Sequence, residues 1–212
     1  MIVAGLMSGT SVDAIDLAVA ALEWRGPDIV LRPVRHSEHA WPAAIRARLL
    51  AALPPQPASG AELCALDVLV GEAFAAVAVQ AGAVELIASH GQTVFHWVEG
   101  GQVRGSLQIG QPACIAEATG LPVISDFRAR DVAAGGQGAP LASTLDALWL
   151  AGGAPRAALN LGGIANVTVV SPGGVLAFDT GPASCLMDLH AARITQGALA
   201  ADVDGRIARA GR

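Results

Sequence analysis

Gly5-Leu-Met-Ser-Gly-Thr-Ser-Val-Asp-Ala-Ile-Asp16 decides how this chain is read. The apolar start, residues 1–6, runs into glycines and the hydroxyl residues Ser8, Thr10 and Ser11, then the carboxylate of Asp13. A second apolar run begins at Ile15. This is the pattern of a strand, a tight turn and a returning strand, with the polar cluster at the tip. Glycine lets backbone N–H groups approach a ligand closely, and Ser and Thr hydroxyls add donors, so such a tip can hold phosphate oxygens. An ordinary hairpin turn explains the same residues, and the stretch alone does not separate the two readings.

Working outward, residues 29–34 give a third strand after the turn Gly26-Pro27-Asp28, so the economical reading is a three-stranded meander. A helix begins at Trp41-Pro42 with Ile45, Leu49 and Leu50 on one face, and a second spans residues 61–81 with Leu63, Leu66, Val70, Phe74 and Val77 at helical spacing. Residues 84–88 read as a short buried strand ending in Ser89-His-Gly-Gln-Thr93, where α/β folds place ligands. Further strands at 107–109 and 123–125 alternate with helices at 112–119 and 141–150, and Gly135-Gly-Gln-Gly138 is a loop. Ala151-Gly-Gly-Ala-Pro155 marks a boundary. After it the opening pattern returns: strand 157–161, turn Gly162-Gly163, strand 166–170, strand 175–178, then Asp179-Thr-Gly-Pro182 and a helix from 183 to 194. Two meanders with a Gly-rich first turn, about 155 residues apart, read as an internal duplication.

Composition removes several alternatives. The 212 residues are 53% hydrophobic and 15% charged, with net charge −5, enough chain for one large domain or two small ones. Every one of the 13 basic residues is Arg. Without lysine the glycine-rich turns are not a Walker-type phosphate loop, and no lysine nucleophile is available. No arginine cluster suggests a nucleic-acid face, so no nucleic-acid partner is expected. The apolar runs are short and interrupted, and the N-terminus lacks a basic region ahead of its apolar run; we expect no membrane association and a cytoplasmic protein. Cys64, Cys114 and Cys185 lie far apart and give no disulfide framework.

Asp179, before Thr-Gly-Pro, suits a proton acceptor for a hydroxyl or water, or else a helix N-cap. Asp126 and Asp131 flank Arg128 and Arg130, which reads as ion pairing, with substrate contact as the alternative. The spacing around Ser8 is not that of a nucleophile elbow. His36, His39, His90 and His96 have no Cys or carboxylate at zinc spacing, so the metal ligands stay unassigned.

The stretches quoted above, with Gln108-Ile-Gly-Gln-Pro112, Asp131-Val-Ala-Ala-Gly-Gly-Gln-Gly-Ala-Pro-Leu141 and Leu159-Asn-Leu-Gly-Gly-Ile-Ala-Asn166, resemble the anhydro-N-acetylmuramic acid kinases, of the sugar kinase, heat-shock chaperone ATPase and actin superfamily. The resemblance implies an α/β, ribonuclease H-like (actin-like ATPase) fold in two copies: a complete first one at 1–152 and a truncated second one at 153–212. It implies ATP and Mg2+ as cofactors, an amino sugar as small-molecule partner and a homodimer. Ser8, Gly9, Thr10, Ser11, Val12, Asp13, Ala14 and Ile15 would form the ATP phosphate loop, with Gly162 and Gly163 in the second hairpin. Asp179 would be the general base, and Thr93, Gln92 and Arg128 sugar contacts. The chain departs from the family pattern at Ala14 and at Ala183-Ser184, where family members usually have Gly and Gly-Asn. Family members are also much longer and carry a Gly-rich adenosine motif beyond this stretch. The accompanying expectation is that the 212 residues alone bind ATP poorly and do not turn over; a non-catalytic fragment or pseudokinase is the rival reading.

Overall fold

The structure, a computed structural model, describes residues 1–26 and 28–211. The chain divides into two compact units, Met1–Gly138 and Ala139–Arg212.

In the first unit β1 (Ile2–Ser8), β2 (Ala14–Arg25) and β3 (Asp28–Ala40) form the expected antiparallel meander. Period-two alternation sends Ala4 and Leu6 of β1 and Ile15, Leu17 and Val19 of β2 into the interior, with Leu6 opposite Leu17. Helix α2 (Gly60–Ala78) closes that core with Leu66, Val70, Phe74 and Val77, each worth roughly 1.5–3 kcal/mol when fully buried. Ser59 caps it, its Oγ accepting from the Glu62 N–H at 3.1 Å. Helix α1 (Ala43–Ala52) adds Leu49, and the Trp41 ring lies 5.8 Å from that of Phe74. Leu50, expected on the same face, is 42% exposed: it sits about 100° round the helix from Leu49.

Strand β4 (Leu86–Glu99) runs parallel to β1, and β6 (Val123–Ile124) parallel to β4 on its other side. Across the first half of β4 the order is therefore β3-β2-β1-β4-β6, with only β2 reversed between β1 and β3. This mixed sheet with helices is consistent with a ribonuclease H-like, actin-like fold. The second half of β4 leaves β1 and pairs with β5 (Gln102–Ile109) in a hairpin turned by Gly100 and Gly101, both at positive φ. The expected short strand at 84–88 is thus the beginning of a 14-residue one, and Ser89–Thr93 lie inside it rather than beyond its end. β3 likewise continues to Ala40, past the expected strand end at residue 34, because an outer strand can carry polar side chains on both faces. Helices α3 (Pro112–Thr119) and α4 (Phe127–Ala133) follow; α4, not foreseen, buries no residue and so has no apolar stripe to betray it.

The second unit is the antiparallel sheet β7 (Arg156–Leu161), β8 (Ile164–Ser171) and β9 (Gly174–Pro182), with helices α5 (Ala142–Leu150), α6 (Ser184–Ile194) and α7 (Arg206–Ala210). α5, which the sequence reading sets before the boundary at 151–155, belongs to this unit: the buried Thr168 hydroxyl of β8 donates to its Asp146 Oδ2 at 2.7 Å. No helix among the described residues is long and apolar enough to cross a membrane.

The pairing of β1 with β4 skips one residue. Leu6 pairs with Ser89 and Met7 with Gly91, so His90 bulges from β4, and Gly91 takes φ +72° to restore the ladder. A Cβ on Gly91 would stand 2.4 Å from the Ile109 carbonyl oxygen. We expect Gly91→Ala to cost about 2–4 kcal/mol, from the strained φ and the displaced β5 end together. Urea unfolding monitored by circular dichroism measures it; an unchanged midpoint would show that the backbone there does not need glycine.

Candidate active site

Three donors fix the β1–β2 turn. The Val12 N–H bonds the Gly9 carbonyl at 3.1 Å, closing the turn. Gln92, fully buried on β4, donates its Nε2 to the same carbonyl at 3.1 Å. Arg46 of α1 donates Nε to the Val12 carbonyl at 2.7 Å. Val12 itself sits at φ +51°, a costly conformation for a β-branched residue, and its side chain is fully buried; the surrounding bonds hold it there.

The eight residues expected to cradle phosphate therefore divide. Ser8, Val12 and Ile15 are buried, and the Ser8 Oγ accepts from Trp41 Nε1 at 3.3 Å, so its hydroxyl serves the core. Thr10, Ser11 and Asp13 are exposed at the tip. Asp13 Oδ1 accepts from the Ala14 N–H at 2.9 Å, and no described residue bonds the Thr10 or Ser11 side chain. What the loop can offer an anion is these two hydroxyls and the adjoining amides, on a backbone fixed from beneath.

On β4 the bulge aims His90 at α4. Arg128 donates its Nε to His90 Nε2 at 2.9 Å, so Nε2 is the acceptor and the proton lies on Nδ1, which faces the Gly91 carbonyl at 3.1 Å. Burial lowers the His90 pKa, the Arg128 charge lowers it further, and the Gly91 bond opposes them; the ring is neutral near pH 7. The expected sugar contacts occupy different settings. Arg128 is half-buried beside His90, Thr93 accepts from Gln108 Nε2 at 3.1 Å, and Gln92 turns inward to the loop carbonyl. Asp131 accepts the Gly138 N–H at 2.7 Å, because Gly136, lacking a Cβ, lets the glycine loop fold over the carboxylate.

Among the described residues, one group could hold a cation. Asp16, His36 and Glu38 place one ligand atom each within 4.8 Å of one another, and His36 Nε2 stands 3.1 Å from Asp16 Oδ1. Sequence spacing could not reveal it, since strand pairing brings residue 16 beside 36 and 38.

In the second unit the turn Leu161–Ile164 is tied to α6: the Gly163 carbonyl accepts the Ala183 N–H at 2.9 Å and the Gly162 carbonyl the Ser184 N–H at 3.0 Å. Asn160, Asn166 and Asp179 are direct cross-strand partners in β7, β8 and β9, a row of two amides and an exposed carboxylate. A second bulge lies beside them. Asn166 pairs with Asp179 but Ala165 with Gly181, leaving Thr180 over, its hydroxyl donating to the Ala165 carbonyl at 3.2 Å. Asp179 is thus a strand residue; the residue before α6 is Ala183, so the N-cap alternative does not describe it.

The first unit is thus a mixed α/β unit with a donor-rich hairpin tip, and the second contains a meander presenting a strand carboxylate. A family model described as anhydro-N-acetylmuramic acid kinase matches residues 1–212, and the chain belongs to that family. It is similar to proteins of that name from Streptomyces coelicolor (57% identity, all of this chain, 56% of the relative), Rhodococcus erythropolis (50%, all of this chain, 57% of the relative) and Caldanaerobacter subterraneus (40%, all of this chain, 58% of the relative). The chain thus spans little more than half the length of the relatives it matches.

The His90–Arg128 bond has a pH signature. Folding lowers the His90 pKa below its ordinary 6.5, so in that range the unfolded chain binds more protons. The stability contributed is fully present above 6.5 and is lost as pH falls through the folded value. Arg128→Gln removes the repelling charge and should raise the His90 pKa, read from ring proton shifts by NMR. Superimposable titrations in the two proteins would mean that the guanidinium does not face the ring in solution.

Proposed function

We propose that the chain carries the phosphate-holding hairpins and the catalytic base of an ATP-dependent kinase for 1,6-anhydro-N-acetylmuramic acid, a sugar of cell-wall turnover. In this reading the enzyme opens the anhydro ring with water and phosphorylates O6, giving N-acetylmuramate 6-phosphate. The observation that carries it is the placement of Asp179: an exposed carboxylate on a strand, beside Asn166 and a bulge, rather than in a helix cap.

The chemistry follows from these residues. Asp179 takes a proton from water as that water bonds to C1; the C1–O6 bond breaks, and O6 receives the γ-phosphoryl group of ATP as its bond to the β–γ bridging oxygen breaks and ADP leaves. Asn166, its cross-strand neighbour, is placed to orient the carboxylate or the water. Thr10, Ser11 and their amides suit phosphate oxygens, and Gly162-Gly163 forms the second phosphate turn, its carbonyls anchored to α6 so that the turn keeps its shape. A magnesium ion bound with ATP would neutralise phosphate charge; the Asp13 carboxylate, exposed beside the loop, suits contact with the ion or its water. Thr93 and Arg128 are the proposed sugar-facing residues of the first unit. The two meanders are read as two copies of one unit. Support for this is the shared strand order and antiparallel sense of β1-β2-β3 and β7-β8-β9.

The test is a coupled ADP-release assay with anhydro-N-acetylmuramic acid and Mg-ATP. It is run on the 212 residues and on the same chain joined to the remaining C-terminal part of the S. coelicolor relative. We expect turnover only from the joined protein, and a loss of about 10^3-fold or more in kcat on Asp179→Asn with ATP affinity within about twofold of the parent. Equal loss of ATP affinity would assign Asp179 to phosphate and metal binding instead. A joined protein that folds, binds ATP and releases no ADP with this sugar would overturn the substrate.

A further inference from the structure

Asp16 and Glu38 stand directly opposite each other in the β2–β3 pair, and two carboxylates so placed repel. His36 lies opposite Ala18, the next position along the same face, where the short alanine leaves the ring free to lean toward Asp16. The three donor atoms lie within 4.8 Å of one another, and His36 Nε2 is 3.1 Å from Asp16 Oδ1. All three side chains are open to solvent: that of His36 is 58% exposed and that of Asp16 34%, and Glu38 is exposed. Among the described residues Asp16 meets no cationic side chain but His36, and Glu38 forms no ion pair. A His36–Asp16 hydrogen bond accounts for the 3.1 Å contact but leaves Glu38 facing Asp16 uncompensated; a shared cation accounts for both.

The donor set decides which cation. Ligands bound at about 2.1 Å to one tetrahedral ion stand about 3.4 Å apart, so the Asp16–His36 separation already suits a shared ion. Glu38, long and exposed, closes the set by a side-chain rotation. One imidazole nitrogen with two carboxylates suits zinc and its first-row neighbours, whereas magnesium and calcium favour oxygen ligands alone. Three protein ligands leave a further position for water. The ladder bonds of the β2–β3 pair hold the three backbone positions in register, and β3 is the outer strand of its sheet. An ion here would fasten that strand to β2 next to the turn that carries Thr10, Ser11 and Asp13.

We propose that Asp16, His36 and Glu38 form a binding site for a divalent transition ion of the zinc class, which clamps β3 to β2. The ion takes the lone pair of His36 Nε2, and any proton held between the ring and Asp16 goes to solvent. The site stands apart from the kinase reading: it needs neither ATP nor sugar, and the magnesium proposed to accompany ATP is assigned to Asp13.

The experiment uses the 212-residue chain stripped of metal by a chelator and dialysed. Calorimetry and NMR follow titration with Zn2+, Mg2+ and Ca2+, and thermal melts are recorded with and without Zn2+. We expect one Zn2+ per chain, shifts of the His36 ring protons and of the Asp16 and Glu38 amides, and a raised melting temperature, with Mg2+ and Ca2+ leaving these resonances in place. His36→Ala and Glu38→Gln should each weaken Zn2+ about tenfold or more and remove the melting shift. Without metal, Glu38→Gln should melt no lower than the parent, since it relieves the repulsion. His39→Ala is the control: it lies on the same strand with its ring on the other face, bonded to Ser37, and should bind Zn2+ as the parent does. Unchanged Zn2+ affinity in His36→Ala or Glu38→Gln, an equal loss in His39→Ala, or no Zn2+ binding to the parent overturns the site. Mg2+ shifting the same resonances as tightly as Zn2+ overturns the zinc class. Should His36→Ala unfold, Glu38→Gln carries the comparison.

Discussion

The carbonyl of Gly9 is the point on which the first unit's site depends. It accepts from Val12 within the turn and from the buried Gln92 of β4, which ties the hairpin tip to a strand 83 residues away in sequence. A tip with two glycine-permitted degrees of freedom would otherwise wander, and a wandering loop pays its ordering entropy when a ligand binds. The Arg46 bond to the Val12 carbonyl removes the remaining freedom and keeps a β-branched residue at positive φ. What stays exposed, Thr10, Ser11 and Asp13, is small and polar. The loop is therefore pre-organised beneath and open above, which is what binding an anion through amides and hydroxyls requires.

Much of this was legible in the sequence, for identifiable reasons. The meander and α2 announced themselves because alternation and 3.6-residue spacing persisted over whole elements, from Leu6 and Leu17 to Val70 and Phe74. The opening motif read as a candidate phosphate tip because glycines and hydroxyls were contiguous. Within it, however, the division between Ser8, which faces Trp41, and Thr10, which faces outward, depends on a partner 33 residues on. The β4–β5 hairpin was cut short because Ser89–Thr93 look like the end of a strand; the Gly91 conformation that lets the strand continue is a backbone property. Asp16, His36 and Glu38 meet only through register.

Each unit places its most reactive-looking side chain beside a β-bulge. In the first, the extra residue is His90 itself, turned from the row of β4 onto Arg128. In the second, the extra residue is Thr180, and Asp179 and Gly181 are paired on either side of it. An uninterrupted strand would alternate strictly, and a one-residue shift reverses every later side chain. A bulge lets the strand reset that alternation locally while the ladder on both sides stays rigid. His90 can then leave the sheet while Ser89 and Gln92 remain buried, and Asp179 can share a cross-strand row with Asn160 and Asn166 while β9 continues to Pro182.

That placement bears on what a base at Asp179 needs. A carboxylate in a loop or at a helix cap is either mobile or already committed to the first amides of the helix. On a strand, the backbone on each side is held by ladder bonds, and the neighbouring strand supplies an amide at fixed distance along the row. The bulge hydroxyl of Thr180 donates to the Ala165 carbonyl, so the irregularity's own donor is satisfied without drawing on the Asp179 carboxylate. The carboxylate stays exposed, as the proposed proton transfer from a bound water requires, and its direction is set by the sheet. Gly181 at φ +144° completes the device: it lets the chain pass from the bulge to Pro182 and Ala183, where the Gly163 carbonyl receives the first amide of the turn into α6. The glycine turn and the carboxylate are thereby parts of one rigid piece, and a change in either should be felt at the other.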